Sequence, residues 1–407
     1  MSGAGSNGVR IDALDCLNFF LADVRGGLGP YLNVYLYTHA HWSQAAIGAT
    51  LTVSGLVGIA AHPWVGAFID RTHGKRGLIV AGTFLLSACG LAIVCAPVLP
   101  VVVVADIVMA TLGAVFAPTV AAITLGLYGR DALALRLGRN AAFDRAGNIF
   151  IASLIGAVGV AVSQTAPFFF APIFSILVTL AALSIPAAAI DHYRARGLED
   201  VDPRDPPRPG NLRALLHYRT LLVFAAAAAL FQFSNAPMLP LIAQKLAFDH
   251  PGYESGFTSA AIVAAQLSTI AMALLVARAD AIGCKPLLVL AFSALLLRAA
   301  LCALIADPRW LLAVQLLDGA GAGLFDALLP LILADIMRGT GHYSLARGGV
   351  GFIHGVGGAS SLAVAGFIVT ENGYTAVFLT LGAIASAGLL LVIVAVPETS
   401  PKRRPWP

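Results

Sequence analysis

Asn18 to Pro30 reads NFFLADVRGGLGP and sits in the middle of an apolar segment that runs from about Ile11 to Tyr37. An acid, a base, three glycines and a proline fall there, a mixture that neither a strand nor a soluble core helix carries at its centre. At a rise of ~1.5 Å per residue, Asp23 and Arg25 lie roughly 15 Å from either end of the segment. If the segment spans a bilayer, both charges are near the midplane. A charge at that depth costs about 2.5–3.5 kcal/mol on insertion scales and is tolerated where it faces a bundle interior or a watery cavity. At about 100° per residue, Asn18, Arg25 and Gly29 share one face, and Asp23, Gly27 and Pro30 share nearly the opposite one. Such a helix points to a solute pathway, and the remaining segments read as its walls.

The composition agrees. Of 407 residues, 58% are hydrophobic and 11% charged, with a mean hydropathy of +0.85. Soluble domains carry about 25% charged residues, so most of this chain belongs in lipid. The five cysteines (Cys16, Cys89, Cys95, Cys284 and Cys302) are scattered through apolar runs without a CxxC spacing. They read as small core residues and not as a metal site or a disulfide framework. The short Gly/Ser-rich start lacks the pattern of a cleaved signal peptide, so the first span is expected to be retained.

Further apolar runs long enough to cross a ~30 Å hydrocarbon core recur along the chain. Five are expected near Ser43–Ile69, Leu78–Ala96, Val101–Tyr128, Asn140–Val162 and Pro167–Ile190. The stretch from Asp191 to Arg219 is rich in Arg, Asp and Pro and reads as a solvated linker. Six more spans are expected near Thr220–Phe248, Phe257–Val276, Leu287–Ile305, Trp310–Met337, Leu345–Thr370 and Tyr374–Val396, before a short basic tail. The fold class is therefore an all-α membrane protein of twelve transmembrane helices in two pseudo-symmetric six-helix bundles. Its parts are an N-terminal bundle (1–190), a cytoplasmic linker (191–219), a C-terminal bundle (220–396) and a cytoplasmic tail (397–407).

With the N-terminus placed in the cytoplasm, the termini, linker and even-numbered loops hold twenty of the 25 Lys and Arg. The outer loops hold Lys245 and Arg309, and Arg25, Arg145 and Arg298 fall inside spans. This split follows the positive-inside rule. The halves also repeat: a shift of 210 residues places Pro30 on Pro240, Asp70 on Asp280, Gly113 on Gly323 and Gly147 on Gly357. A parallel repeat of this kind puts the substrate site near the midplane, between the halves.

Between the second and third spans the chain reads Gly66-Ala-Phe-Ile-Asp70-Arg71-Thr-His-Gly74-Lys75-Arg76. The run resembles the cytoplasmic signature loop of the major facilitator superfamily, with one extra residue between Arg71 and Gly74. Asp280-Ala-Ile-Gly283-Cys284-Lys285 is a degenerate echo in the second half. The resemblance covers essentially the whole chain. It implies that Gly66, Asp70, Arg71, Gly74, Lys75, Arg76 and Asp280 form a gating loop whose inter-helix charge contacts stabilise one gate state. A merely topogenic basic loop is the plain alternative. The phrases LADVRGGLGPYLNVYL and LADIMRGTG are similar to an uncharacterised bacterial group of that superfamily. Drug antiporters of the superfamily carry an Arg before the fourth-span glycine, where this chain has Met109 with Asp106 nearby. Their fifth-span GPxxGG-like run reads Gly156-Ala-Val-Gly159 here, and both departures weaken the multidrug reading.

The resemblance implies a cavity lined by the first, fourth, seventh and tenth spans, which makes Asp23 and Asp326 candidate proton carriers. Asp318 lies eight residues before Asp326, about 80° around the helix, and is a third candidate. Desolvation raises a carboxylate's pKa, as a coupling acid needs. The structural alternative for Asp23 is an ion pair with Arg25 or Arg145. Arg25 and Arg145 could hold a carboxylate or phosphate bidentately, or simply neutralise an Asp. Arg298 reads as a snorkelling or locally paired base. Gln232, Ser234, Asn235 and Pro237 of the seventh span, with Asn18, are candidate neutral substrate contacts. His354, at the repeat position of Asp144, could titrate near neutral pH. His39 and His41 lack a third ligand, so no metal site is expected.

The function read from these residues is secondary active transport of a small organic solute by alternating access, coupled to protons and directed to export. Uptake of an organic anion is the alternative. The chain is expected to be a multi-pass monomer of the bacterial inner membrane, with both termini cytoplasmic. Its partners are a small solute, protons and lipid, with no cofactor and no nucleic acid. The absence of GxxxxGK[ST] argues against direct ATP coupling, and no HExxH, GxSxG or GxGD supports an intramembrane enzyme. A transporter-like receptor would need an output element, and the linker is too short and proline-rich to fold into one.

Overall fold

The computed structural model describes residues 11–26, 32, 35–36, 40–42, 44–161, 166–199, 201, 212–249, 254–305 and 307–400. Among these residues every regular element is helical. The long helices are α1 (Ala13–Gly26), α2 (Gln44–Arg71), α3 (Lys75–Cys95), α4 (Leu99–Tyr128), α5 (Leu133–Ala161) and α6 (Ala166–Ser184). They continue with α7 (Arg219–Asn235), α8 (Met238–Asp249), α9 (Glu254–Val276), α10 (Cys284–Leu304), α11 (Pro308–Ile336) and α12 (Tyr343–Ala395). Among the described residues seven stretches are long and apolar enough to cross a membrane, α7 and the start of α8 counting as one.

One departure from the expected spans has a physical cause, and one expected boundary has a visible one. Helix α5 begins at Leu133, seven residues before the expected Asn140. Its first turns carry Arg136 and Arg139, which depress hydropathy, but both arginines are ion-paired to Asp15. At the other end of the chain, α12 is interrupted at Gly373, whose φ of 81° and ψ of 176° suit glycine alone. That break falls between the two spans expected to end at Thr370 and begin at Tyr374.

The 210-residue repeat reappears as packing. A Cβ placed on Gly147 of α5 would sit 2.1 Å from the carbonyl oxygen of Phe19 on α1. One on Gly357 of α12 would sit 2.6 Å from the carbonyl oxygen of Ala229 on α7. Phe19 and Ala229 are themselves 210 positions apart, so each half uses the same glycine to seat its first helix. The halves then meet through a second matched set. Gly138 of α5 abuts the Ala273 carbonyl of α9, and Gly348 of α12 abuts the His62 carbonyl of α2, with Cβ clearances of 2.4 and 2.2 Å. Small residues permit such backbone approach where lipid removes any hydrophobic force between helices.

Two apolar cores result. One is built from residues 14–190, including Leu17, Ile79, Phe116 and Val178. The other fills the second half around Phe231, Phe292, Phe325 and Phe378, and takes in Ile69, Ala121, Leu125, Leu133 and Leu137 of the first. These first-half residues cluster near the 71–75 loop, so the halves are sealed together at that end, called here the basic face. Large apolar side chains such as Trp64, Val104, Leu180, Leu274 and Phe367 point outward, as a lipid-facing surface requires.

The start of the linker is partly packed against the helices. Asp191 caps a one-turn helix, His192–Ala195, through the Tyr193 and Arg194 amides. Ala195 and Leu198 are buried. The Asp191 amide donates to the Gly126 carbonyl, and the Gly339 amide of the second half donates to Gly197. Residues 202–211 lie outside the described residues.

Candidate functional site

Between the halves lies a cavity of about 430 Å³. Its wall comes from α1 (Asn18), α2 (His62), α4 (around Gly113 and Pro118), α5 (Asn140, Asp144, Arg145), α9 (Thr269), α11 (Gly323, Asp326, Pro330) and α12 (Arg347, His354). Pro118 and Pro330 lie inside their helices. Each frees a backbone carbonyl and permits a bend.

The polar centre of this wall is an ion pair between the halves. Arg145 Nη2 donates to Asp326 Oδ2 at 3.4 Å, and Arg145 Nε lies 3.9 Å from Asp144 Oδ2. The Asp326 side chain is 52% exposed to the cavity, and that of Arg145 27%. Both can therefore meet a solute without unfolding anything. Next to them the His354 ring stacks on Phe325 at 5.8 Å, with its buried Nε2 lacking a hydrogen-bond partner. Asn18 Nδ2 is committed to the Leu14 carbonyl at 2.7 Å, which leaves its Oδ1 to the cavity. Asn140 links Arg136 Nε to the Thr124 hydroxyl.

The other candidates are placed differently. Gln232, Asn235 and Asp318 do not line this cavity. Asp318 accepts from Arg298 at 2.7 Å, and Asn235 and Gln315 accept from the same guanidinium at 2.9 and 2.8 Å. Arg298 is 1% exposed and holds this second-half cluster together. Ser234 donates to the Leu381 carbonyl. Ser234 and Asn235 are thus bonded within the second half, and α5 and α12 contribute to the wall of this cavity. The side chains of Asp23 and Arg25 lie outside the described residues, as does His39.

The residues expected to form a gating loop divide into distinct jobs. Asp70 is buried and caps α12: Oδ1 accepts from the Ser344 amide at 3.1 Å and Oδ2 from the Leu345 amide at 2.8 Å. A carboxylate at a helix N-terminus satisfies orphan amides and meets the positive end of the dipole. Gly66 lets the helices approach, its Cβ position being 2.2 Å from the Ser344 carbonyl oxygen. Lys75 Nζ donates to the Thr72 carbonyl at 2.8 Å, and Arg76 donates to the Ile185 carbonyl just beyond α6. Gly74 has φ −81° and open space at its Cβ position, so the turn does not demand glycine.

Asp280 does not repeat the capping role of Asp70. It pairs with Arg130 at 3.3 Å, and Arg130 forks onto Asp335 through Nε and through Nη2 at 2.8 Å. The Arg130 amide also donates to Glu199 of the linker at 3.0 Å. Burial opposes the charge on Arg130, but the bonds to Asp335 and the attraction of both acids outweigh it, so the guanidinium is held above its ordinary value.

A last cluster joins α1 to α5. Asp15, wholly buried, accepts from Arg136 and Arg139, and Asp12 accepts from Arg136 at 2.6 and 2.9 Å. Two acids three residues apart face two arginines three residues apart, and that matched spacing was the available signal in the sequence.

A family model described as Major Facilitator Superfamily matches residues 14–297 and 221–405. The chain belongs to the major facilitator superfamily. Uncharacterised MFS-type transporters from two strains of Mycobacterium tuberculosis are 44% identical over 388 residues, covering 95% of this chain and 93% of theirs. Among solved structures, the superfamily transporter FucP in its outward conformation aligns at a TM-score of 0.74 with 14% identity, over 94% of this chain and 97% of that one. The proton:xylose symporter XylE aligns at 0.69, with 14% identity over 95% and 94%. The human organic anion transporter MFSD10 aligns at 0.65, with 18% identity over 93% and 97%. These structures share the fold. Membership makes this chain an integral, multi-pass transporter of small solutes and not an enzyme.

Proposed function

We propose that this superfamily member is a proton-coupled secondary carrier with twelve spans, moving a small organic solute by alternating access, with export as the favoured direction. The observation that supports it is the Arg145–Asp326 pair, half-open to a cavity and shared between the two halves. Protonating Asp326 would release Arg145 to take an acceptor group of the solute, and returning the proton would release the solute again. One charge crossing 100 mV supplies about 2.3 kcal/mol, against ~1.4 kcal/mol for a tenfold solute gradient. In this reading the basic face lies in the cytoplasm of a bacterial inner membrane with both termini on that side, which the distribution of Lys and Arg supports, and the chain works as a monomer. Arg347, which lines the same cavity as Arg145, favours a second reading, uptake of an organic anion.

A ligand-library stabilisation screen at pH 6 and pH 8 would find the cargo, since a ligand at a hundredfold excess over Kd stabilises by about 2.7 kcal/mol. Counterflow in proteoliposomes would then test carriage. Asp326→Asn is expected to keep counterflow and lose accumulation driven by a pH gradient. Undiminished accumulation in that variant would remove Asp326 from the coupling step, and binding without counterflow would point to a receptor.

A further inference from the structure

Asp106 lies inside α4, about two turns from the end that begins at Leu99, and is 9% exposed. It does not line the central cavity. Asp15, Asp144, Asp318, Asp326 and Asp335 each pair with an arginine. Asp106 pairs with no base among the described residues. The polar side chain beside its carboxyl is Ser54 of α2, itself 1% exposed.

The protons around this contact decide its chemistry. A serine hydroxyl has one proton to give, and Ser54 gives it to the Thr50 carbonyl at 2.9 Å. Ser54 therefore turns a lone pair toward Asp106. An ionised carboxylate is an acceptor only and would meet a second acceptor there, whereas a protonated carboxyl donates. Burial argues the same way, because a carboxyl in hydrocarbon without a counter-charge takes up a proton instead of keeping its charge. Among the described side chains on helices packed against α4, none supplies that counter-charge. Cys89 of α3 shares an apolar groove with Ala105. His62 of α2, Arg145 of α5, and Arg347 and His354 of α12 line the central cavity, and Asp12 and Asp15 of α1 are bonded to Arg136. Between Asp106 and the cavity the seam of α2 and α4 is shut, since a Cβ on Gly58 would sit 2.9 Å from that of Ala110. The shorter way to water is the Leu99 end of the helix, opposite the basic face.

We propose that Asp106 is a second proton-binding site, apart from Asp326, loaded in this conformation with Ser54 as the acceptor of its proton. The site's part in transport rests on the reading of the chain as a proton-coupled carrier. The presence of the proton does not, so the two stand or fall on different measurements.

The test is infrared spectroscopy of the purified full-length protein in lipid, perfused with buffers from about pH 6 to about pH 9. The wild type is expected to show, at the acidic end, the carbonyl band of a hydrogen-bonded protonated carboxyl, shifted in deuterium oxide. Asp106→Asn is expected to remove that band, and Asp326→Asn to keep it. The band is expected to fade reversibly as the pH rises, which a permanently neutral structural acid would not do. Ser54→Ala is expected to keep the band and move it to the higher frequency of a carboxyl without an acceptor. That variant reads the site even if Asp106→Asn fails to fold. The proposal is overturned if neither substitution alters a protonated-carboxyl band, or if the band is unchanged across the titration. Failure of proton coupling would show instead in pH-driven accumulation and leave these spectra as they are.

Discussion

Asp326 and Asp15 are both carboxylates bonded to arginine, and their surroundings give them opposite consequences. Asp326 is half-exposed and its partner is 3.4 Å away, so the pair contributes less than about 1 kcal/mol to stability. Asp326→Asn should therefore melt within a degree or two of the wild type in detergent while losing the pH-driven component of transport. Asp15 is 0% exposed and bonded to Arg136 and Arg139. Asp15→Asn leaves those guanidinium groups without their buried counter-charge, at about 3–5 kcal/mol. A large fall in melting temperature is expected, with a smaller one for Arg139→Ala because that side chain is 30% exposed. A wild-type melting curve for Asp15→Asn would mean that water reaches the cluster. The sequence exposes the two acids unequally. Asp326 interrupts an apolar run and is conspicuous, whereas Asp15 stands near a segment end where charge is ordinary. Asp318 shows the converse limit: helical angle brings it near Asp326, but only the fold shows Arg298 across from it.

At the scale of helices, most of the architecture was legible because hydropathy and length identify apolar segments one at a time. The misreadings arose where a contact between segments changes what a segment tolerates, as with paired arginines starting α5 and the linker packed under α4. The glycines carry the contrast into a prediction. Gly147 and Gly357 seat helices within a half, while Gly138 and Gly348 join the halves. Alanine at Gly147 or Gly357 should lower stability in every conformational state, since the crowded backbone belongs to one bundle. Alanine at Gly138 or Gly348 should instead push the halves apart at the basic face and favour opening there. Spin labels at Thr72→Cys and Thr340→Cys, one on each half, would read the separation in a background lacking the native cysteines. The two classes of glycine behaving alike in that measurement would remove the distinction.

For the whole molecule, closure at the basic face rests on two unlike bonds between the halves, the Arg130 fork onto Asp335 and the Asp70 cap of α12. Both break when the halves separate there, so each weighs on the balance between states. Removing one partner of a buried pair costs about 3–5 kcal/mol, and losing a helix cap costs about 0.5–2 kcal/mol. Moving a two-state equilibrium from 1:99 to 99:1 takes about 5.5 kcal/mol. Arg130→Gln alone should then produce a mixed population of label separations between Thr72→Cys and Thr340→Cys. Arg130→Gln with Asp70→Ala should shift most molecules to the longer distance. Arg194→Gln is the control, because its side chain is 46% exposed and its pairs with Asp191 and Glu199 stay within the linker. Arg130 is held above its ordinary pKa, so it stays charged from pH 6 to pH 8 and cannot itself release the lock as pH changes. A pH-dependent separation in the wild type would have to originate at an acid, a histidine or the buried Lys75. If it disappears in Asp326→Asn, the cavity pair drives the gate; if it persists there, the trigger lies elsewhere and the coupling role of Asp326 fails.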